Sequence, residues 1–174
     1  GAPAELVVLY YSGHADEQAL LMGSSRFNFQ ELRAWVDRLP GRVKLVLVDA
    51  CQSGVAARTK GGRVVLIADV RLDPEGIKGR VIITSSAPGE SAQESDALRA
   101  SFFTHYLLSG LQGAADDSGD GRVSLAEAYR FSYRQTLART TGTLHGVQHP
   151  TFDIELKGAG DLVLTWLPAA QGYL

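Results

Sequence analysis

A single cysteine, Cys51, and a single methionine occur in the 174 residues of this chain. One thiol excludes an internal disulfide framework and suits a reducing compartment, so the expected location is cytoplasmic. No apolar run approaches the ~20 residues that a membrane span needs, and no signal-peptide pattern opens the chain. The 17 basic and 19 acidic residues are interspersed, for a net charge of −2. That balance leaves no basic stretch for nucleic acid and no acidic tail. Phosphate loops, dinucleotide fingerprints, zinc-ligand spacings and internal repeats are also missing. What remains, at 45% hydrophobic, is enough apolar material for one domain with an ordinary core.

Punctuated apolar runs are what the sequence does contain. Leu6-Val7-Val8-Leu9-Tyr10-Tyr11 and Val43-Lys44-Leu45-Val46-Leu47-Val48-Asp49-Ala50 read as buried strands. Residues 16–27 read as a short hairpin. A helix follows, with Asn28 and Glu31 as a capping box and Phe27 and Leu32 as a staple. Leu32, Trp35, Val36 and Leu39 repeat at helical spacing, and Pro40-Gly41 stops the helix. Residues 6–50 thus form one right-handed βαβ unit. Residues 53–79 are a basic connection in which Val64-Val65-Leu66-Ile67 forms a short strand. Val81-Ile82-Ile83-Thr84 is the next buried strand, and Ser85 to Ser95 a polar loop. Phe102, Phe103, Tyr106, Leu107 and Leu111 mark an amphipathic helix. Ser124 and Glu127 cap another that runs to about Arg139, and strands at 152–156 and 161–166 close the pattern. Trp35 and Trp166 are expected in the core.

Two of these strands stop at reactive side chains. The first runs into Ser12-Gly13-His14-Ala15 and the second into Cys51-Gln52-Ser53-Gly54. Adjacent parallel strands would bring His14 and Cys51 to the same carboxyl edge, where open α/β sheets place their sites. A thiol attacks only as thiolate and needs a base beside it; histidine can take its proton and return it to a leaving amine. Backbone N–H groups of Ala15 and Cys51, at the turns, are placed to hold a developing oxyanion. Asp49, two residues before Cys51, shares its face of the strand.

Tyr10-Tyr11-Ser12-Gly13-His14-Ala15 and Asp49-Ala50-Cys51-Gln52-Ser53-Gly54 resemble the histidine and cysteine motifs of the caspase-like cysteine peptidases, which include caspases, metacaspases, legumain-like and clostripain-like enzymes. The resemblance continues through Ile82 to Ala87, Phe102 to Leu111 and Asp116 to Glu127, in an order similar to bacterial and metacaspase-like members. It implies a three-layer α-β-α sandwich on a mostly parallel sheet, and a cysteine endopeptidase acting on polypeptides through a Cys51–His14 dyad. The single catalytic domain would divide into a large-subunit-like part (1–60), a basic connection (61–80) open to self-processing, and a small-subunit-like part (81–174). Members with aspartate at the place of Asp49 include enzymes that cut after Arg or Lys, so Asp49 is expected to pair a basic side chain; asparagine-specific members also carry it. The loop after the third long strand supplies further substrate-binding candidates, Ser85, Ser86 and Glu90, with Glu94 as an alternative acid. Three features depart from the pattern. Ala15 replaces a glycine, and His14 lies 37 positions before Cys51 against about 50 in caspases. The family's first strand and first helix have no counterpart here, so a separate N-terminal fragment is expected to supply them.

A last pattern lies at Asp116, Ser118, Asp120, Gly121, Arg122, Ser124 and Glu127, positions one, three, five, six, seven, nine and twelve of a calcium loop, Arg122 offering its carbonyl. The competing reading is a turn at Asp120-Gly121 followed by a helix cap; no cofactor is needed for the dyad's chemistry. Two other functions compete with a peptidase: a catalytically silent caspase-like module that binds partners, and a hydrolase or transferase that uses Cys51 on a small molecule.

Overall fold

A computed structural model describes residues 6–50, 77–95, 98, 100–158 and 160–168. Among these, strands β1 (Leu6–Ala15), β2 (Ala19–Met22), β3 (Ser25–Asn28), β4 (Val43–Ala50), β5 (Lys78–Thr84) and β9 (Thr151–Lys157) form one sheet in the order β3-β2-β1-β4-β5-β9. The three long strands β1, β4 and β5 are parallel, and antiparallel strands flank them on both sides. Two short ribbons stand apart: β6 (Glu94–Ser95) with β7 (Ala100–Ser101), and β8 (Arg122–Ser124) with β10 (Val163–Trp166). Three helices are present among the described residues: α1 (Phe29–Arg38), α2 (Phe102–Ser109), which widens into a π turn at Gly110–Ala114, and α3 (Leu125–Thr140).

The layers follow from strand alternation. Along β4 and β5, Val46, Val48, Ala50 and Ile82 point to one face, where Phe29, Leu32 and Val36 of α1 cover them. Leu45, Leu47, Val81 and Ile83 point to the other and meet Phe103, Leu107, Leu125 and Ala128 of α2 and α3. This is the expected three-layer α/β sandwich. Strand β4, covered on both faces, is almost wholly buried, as a near-continuous apolar run requires. Both capping boxes form: Asn28 with Glu31 at α1, and Ser124 with Glu127 at α3.

The structure differs from the sequence-based expectation in two places that matter. The first strand does not end at Tyr11. It pairs with β4 as far as Gly13↔Ala50, then takes an antiparallel partner at His14↔Leu21 and Ala15↔Leu20. The ladder hands its backbone groups from one neighbour to the next, so His14 sits on a strand rather than a loop. The tryptophans are not core residues. Trp166 is 70% exposed and Trp35 38%. Trp35 lies at the flank of the buried α1 stripe and meets the edge of Phe27 at 6.2 Å; Trp166 lies on the short β8–β10 ribbon, away from the main sheet.

Candidate active site

The carboxyl ends of β1 and β4 are held level by their register, Ser12↔Asp49 and Gly13↔Ala50. Alternation along β1 puts Tyr10, Ser12 and His14 on one face, the face that α2 covers beside β4. His14 is exposed. Its backbone is fixed from the opposite face: the Tyr11 hydroxyl reaches the carbonyls of His14 and Leu21, both at 2.7 Å. That reach depends on Gly13, because a Cβ there would stand 2.7 Å from the Tyr11 oxygen. Ala15 closes the strand opposite Leu20. Cys51 lies outside the described residues, as do Val64 to Ile67 and the basic connection as far as residue 76, whereas Lys78, Gly79 and Arg80, expected to end that connection, open β5; in the chain, Cys51 follows Ala50 by one peptide bond.

Ala50 is anchored on the other side by the loop after β5. Ser85 Oγ accepts from the Ala50 N–H at 3.2 Å, and Ser86 Oγ donates to the Ala50 carbonyl at 3.3 Å. Both serines are fully buried. They brace the backbone that leads into Cys51 rather than face a cavity. Behind them, the buried Gln148 donates to the Ser85 carbonyl at 2.7 Å and accepts from the Gln93 N–H at 2.8 Å, while its own N–H goes to Thr140 Oγ1 at 2.9 Å. Glu90 also turns inward to the scaffold: it accepts from the N–H groups of Ala87 and His149 and meets His149 Nδ1 at 2.7 Å.

Asp49 is only 5% exposed, and a buried carboxylate needs hydrogen-bond donors. Two hydroxyls at the start of α2 supply them. Ser101, the N-cap, and Thr104, at 2.5 Å, both donate to Asp49 Oδ2. The carboxylate thus sits by a helix N-terminus, which suits negative charge. A cavity of about 560 Å³ opens beside it, lined by Tyr10, Ser12, Glu94, Ser95, Ala100, Ser101 and Thr104 as well as Asp49. Glu94, not Glu90, is the acid that shares this cavity with Asp49. Sequence reasoning missed Ser101, Thr104 and Ser95. Ser101 did carry a signal, a serine directly before the first apolar residue of a helix, but nothing local ties it to Asp49, 52 positions away.

The loop from Asp116 to Glu127 is organised around its own backbone. Asp116 accepts from the N–H groups of Gly119, Asp120 and Gly121 and from the Ser118 hydroxyl. Asp120 accepts from the Arg122 N–H and pairs with its guanidinium at 3.4 Å. Burial pushes the Glu127 carboxyl up, but hydrogen bonds from Ser124 and Ser118 outweigh that and hold it below the ordinary glutamate range. Asp161, close by, is shifted the other way by burial and by the charges of Glu127 and Asp120, despite a bond with Ser124. Among the described residues no three His, Cys, Asp or Glu side chains gather to hold a metal ion.

A family model described as the caspase domain matches residues 2–157, a span that contains His14, Asp49 and Cys51. The chain belongs to the caspase-domain family. Its fold is accordingly that of the caspase domain. Among solved structures, the chain is similar to caspase-1 from Spodoptera frugiperda, with 18% identity, a TM-score of 0.59, and alignment over 86% of this chain and 60% of that one. A structure of pro-sf-caspase-1 aligns more loosely, with 19% identity, a TM-score of 0.49 and coverage of 87% and 61%. The chain therefore spans about 60% of the length of the caspase structures it matches. No curated protein matches it in sequence. No helix among the described residues is long and apolar enough to cross a membrane.

Proposed function

We propose that this caspase-domain chain is a cysteine endopeptidase that cuts polypeptides after arginine or lysine. Cys51 is the nucleophile and His14 its general acid–base. His14 takes the thiol proton, and the sulfur bonds to the scissile carbonyl carbon while the π electrons move to the carbonyl oxygen. The N–H groups of Cys51 and Ala15 stabilise that oxyanion. When the tetrahedral adduct collapses, the C–N bond breaks and the imidazolium delivers its proton to the departing amine. Water then attacks the thioester with His14 as base, and the thiol leaves with that proton. Ser85, Ser86 and Gln148 keep Ala50 in place, so that the nucleophile has a rigid foundation.

The observation that carries the specificity is the buried Asp49 carboxylate, which opens on a cavity on the same sheet face as His14. A buried anion in a pocket that also holds Glu94 favours a cationic side chain. By the same preference, the basic connection ahead of β5, which carries Arg63 and Arg71, is a substrate for self-processing. The decisive experiment compares wild type with Cys51→Ala on fluorogenic peptides that differ only in the residue before the scissile bond. Cleavage after Arg and Lys, lost in Cys51→Ala, is expected. Equal cleavage by both proteins would refute the nucleophile, and a preference for aspartate or leucine would refute the pocket.

A further inference from the structure

The hydrogen bonds around Asp49 leave no freedom in the direction of their protons. The Thr104 hydroxyl has one hydrogen, and it goes to Asp49 Oδ2 at 2.5 Å. A carboxylate can only accept. The 3.1 Å contact between Thr104 Oγ1 and the Tyr10 hydroxyl must therefore use the tyrosine's hydrogen. Ser101 is committed in the same way. It accepts from the Thr104 N–H at 3.0 Å and gives its only hydrogen to the same carboxylate oxygen. Every hydroxyl proton in this relay points inward, away from the cavity.

That leaves the cavity with fixed acceptors: the second lone pair of the Tyr10 hydroxyl, Asp49 Oδ1, which takes no hydrogen bond among the described residues, and the Glu94 carboxylate. The Ser12 and Ser95 hydroxyls on the same wall rotate to suit a ligand and do not discriminate. Arginine and lysine carry donors and no acceptor, whereas the amides of asparagine and glutamine present both. An amide oxygen set against Tyr10, Asp49 or Glu94 would face lone pairs.

We propose that Tyr10 is a specificity-determining residue of the pocket, an acceptor for the basic side chain, and that Thr104 is its positioning residue, holding the tyrosine proton inward so that amide side chains are rejected. Tyr10 is suited to the role because it is 49% exposed and lies on the cavity wall. The inference rests on the pocket reading above and adds to it the exclusion of asparagine, which Asp49 alone does not provide.

The test measures kcat/KM on peptides with Arg, Lys or Asn before the scissile bond, for wild type, Tyr10→Phe, Thr104→Val, Thr104→Ser and the Tyr10→Phe/Thr104→Val double variant. Tyr10→Phe should lower Arg and Lys cleavage about 10-fold, the loss expected for one hydrogen bond to a charged group, with no gain on Asn. Thr104→Val frees the tyrosine proton to turn outward and should raise the Asn/Arg ratio about 10-fold. Thr104→Ser should restore the wild-type ratio, and the double variant should lose the gain on Asn, because that gain needs the Tyr10 hydroxyl. If turnover is too slow to compare, the same ratios are read from calorimetric peptide affinities in a Cys51→Ala background. An unchanged Arg rate in Tyr10→Phe overturns the proposal, as does a Thr104→Val variant whose rates fall in proportion on all peptides. Tyr10→Phe, which removes one exposed hydroxyl, decides the matter even if Thr104→Val fails to fold. A wild-type enzyme that ignores Arg and Lys sinks the pocket reading itself; one that prefers them but is unmoved by these variants sinks only the relay.

Discussion

Asp49 and Asp116 each accept a hydrogen bond from a serine hydroxyl, and the chain treats them in opposite ways. Asp116 is held by N–H groups and a hydroxyl from the five residues that follow it, at the surface. Asp49 is buried and held by hydroxyls 52 and 55 positions away, on a different element. In the loop the carboxylate organises its own turn, and both of its oxygens are engaged in doing so. At the strand end another element satisfies Oδ2, and a cavity lies beside the group. A carboxylate supported from outside its own segment depends on how distant elements pack, whereas one that closes its own turn depends only on its neighbours in the chain.

Substitutions at the two aspartates should separate these roles. Asp49→Asn is expected to lower kcat/KM on Arg and Lys peptides about 100-fold, since it removes one partner of a buried charge pair. Asp116→Asn should leave those constants unchanged; equal losses at the two sites would erase the distinction. Next comes the scaffold behind β4. Gln148→Leu strands the Ser85 carbonyl and the Gln93 N–H, both buried, and should cost about 3 kcal/mol of unfolding free energy, read by denaturant titration. Ser101→Ala removes both an N-cap and a donor to Asp49, for about 2 kcal/mol. Asp116→Ala, whose freed groups find water, should cost about 1 kcal/mol.

The smallest effect is a pH dependence in the loop. The folded-state pKa of Glu127 lies below its ordinary value of 4.5, so the unfolded chain binds its proton more tightly than the folded one. Its contribution is fully present above that ordinary value and disappears as pH falls through the folded value. Glu127→Gln keeps the capping-box bond to Ser124 and should be slightly less stable near neutrality, by an amount that solvent screening at this partly exposed carboxylate keeps small. Wild type and variant should converge in strong acid. A difference that grew on acidification would contradict the assigned shift.

Where the sequence could be read correctly, the decisive contacts were short-range. The pairs Asn28–Glu31 and Ser124–Glu127 marked the starts of α1 and α3, and both boxes form. The runs ending at His14 and Asp49-Ala50 marked adjacent parallel strands, and the register brings their ends level. Ser85, Ser86 and Glu90 were picked out as a loop near the site, but their partners are Ala50 and His149. Which way a loop side chain turns depends on what packs behind it, here Gln148 and Gln93, more than 50 residues further along or in the loop itself. Trp166 shows the same limit: hydrophobicity suggested burial, but its short ribbon lies off the main sheet.

By itself the sequence determined the long strands, the capped helices and the side-by-side course of the strands that lead to His14 and to Cys51. Apolar periodicity and hydrogen bonds between residues three apart are properties of a single segment and survive in a one-dimensional reading. Only the tertiary structure decided which donors hold Asp49, that Glu94 rather than Glu90 shares its cavity, and that Tyr10 completes the relay at a separation of 94 positions from Thr104. Those contacts arise because α2 packs across β1 and β4, and no local pattern encodes where the start of one helix meets the end of a distant strand.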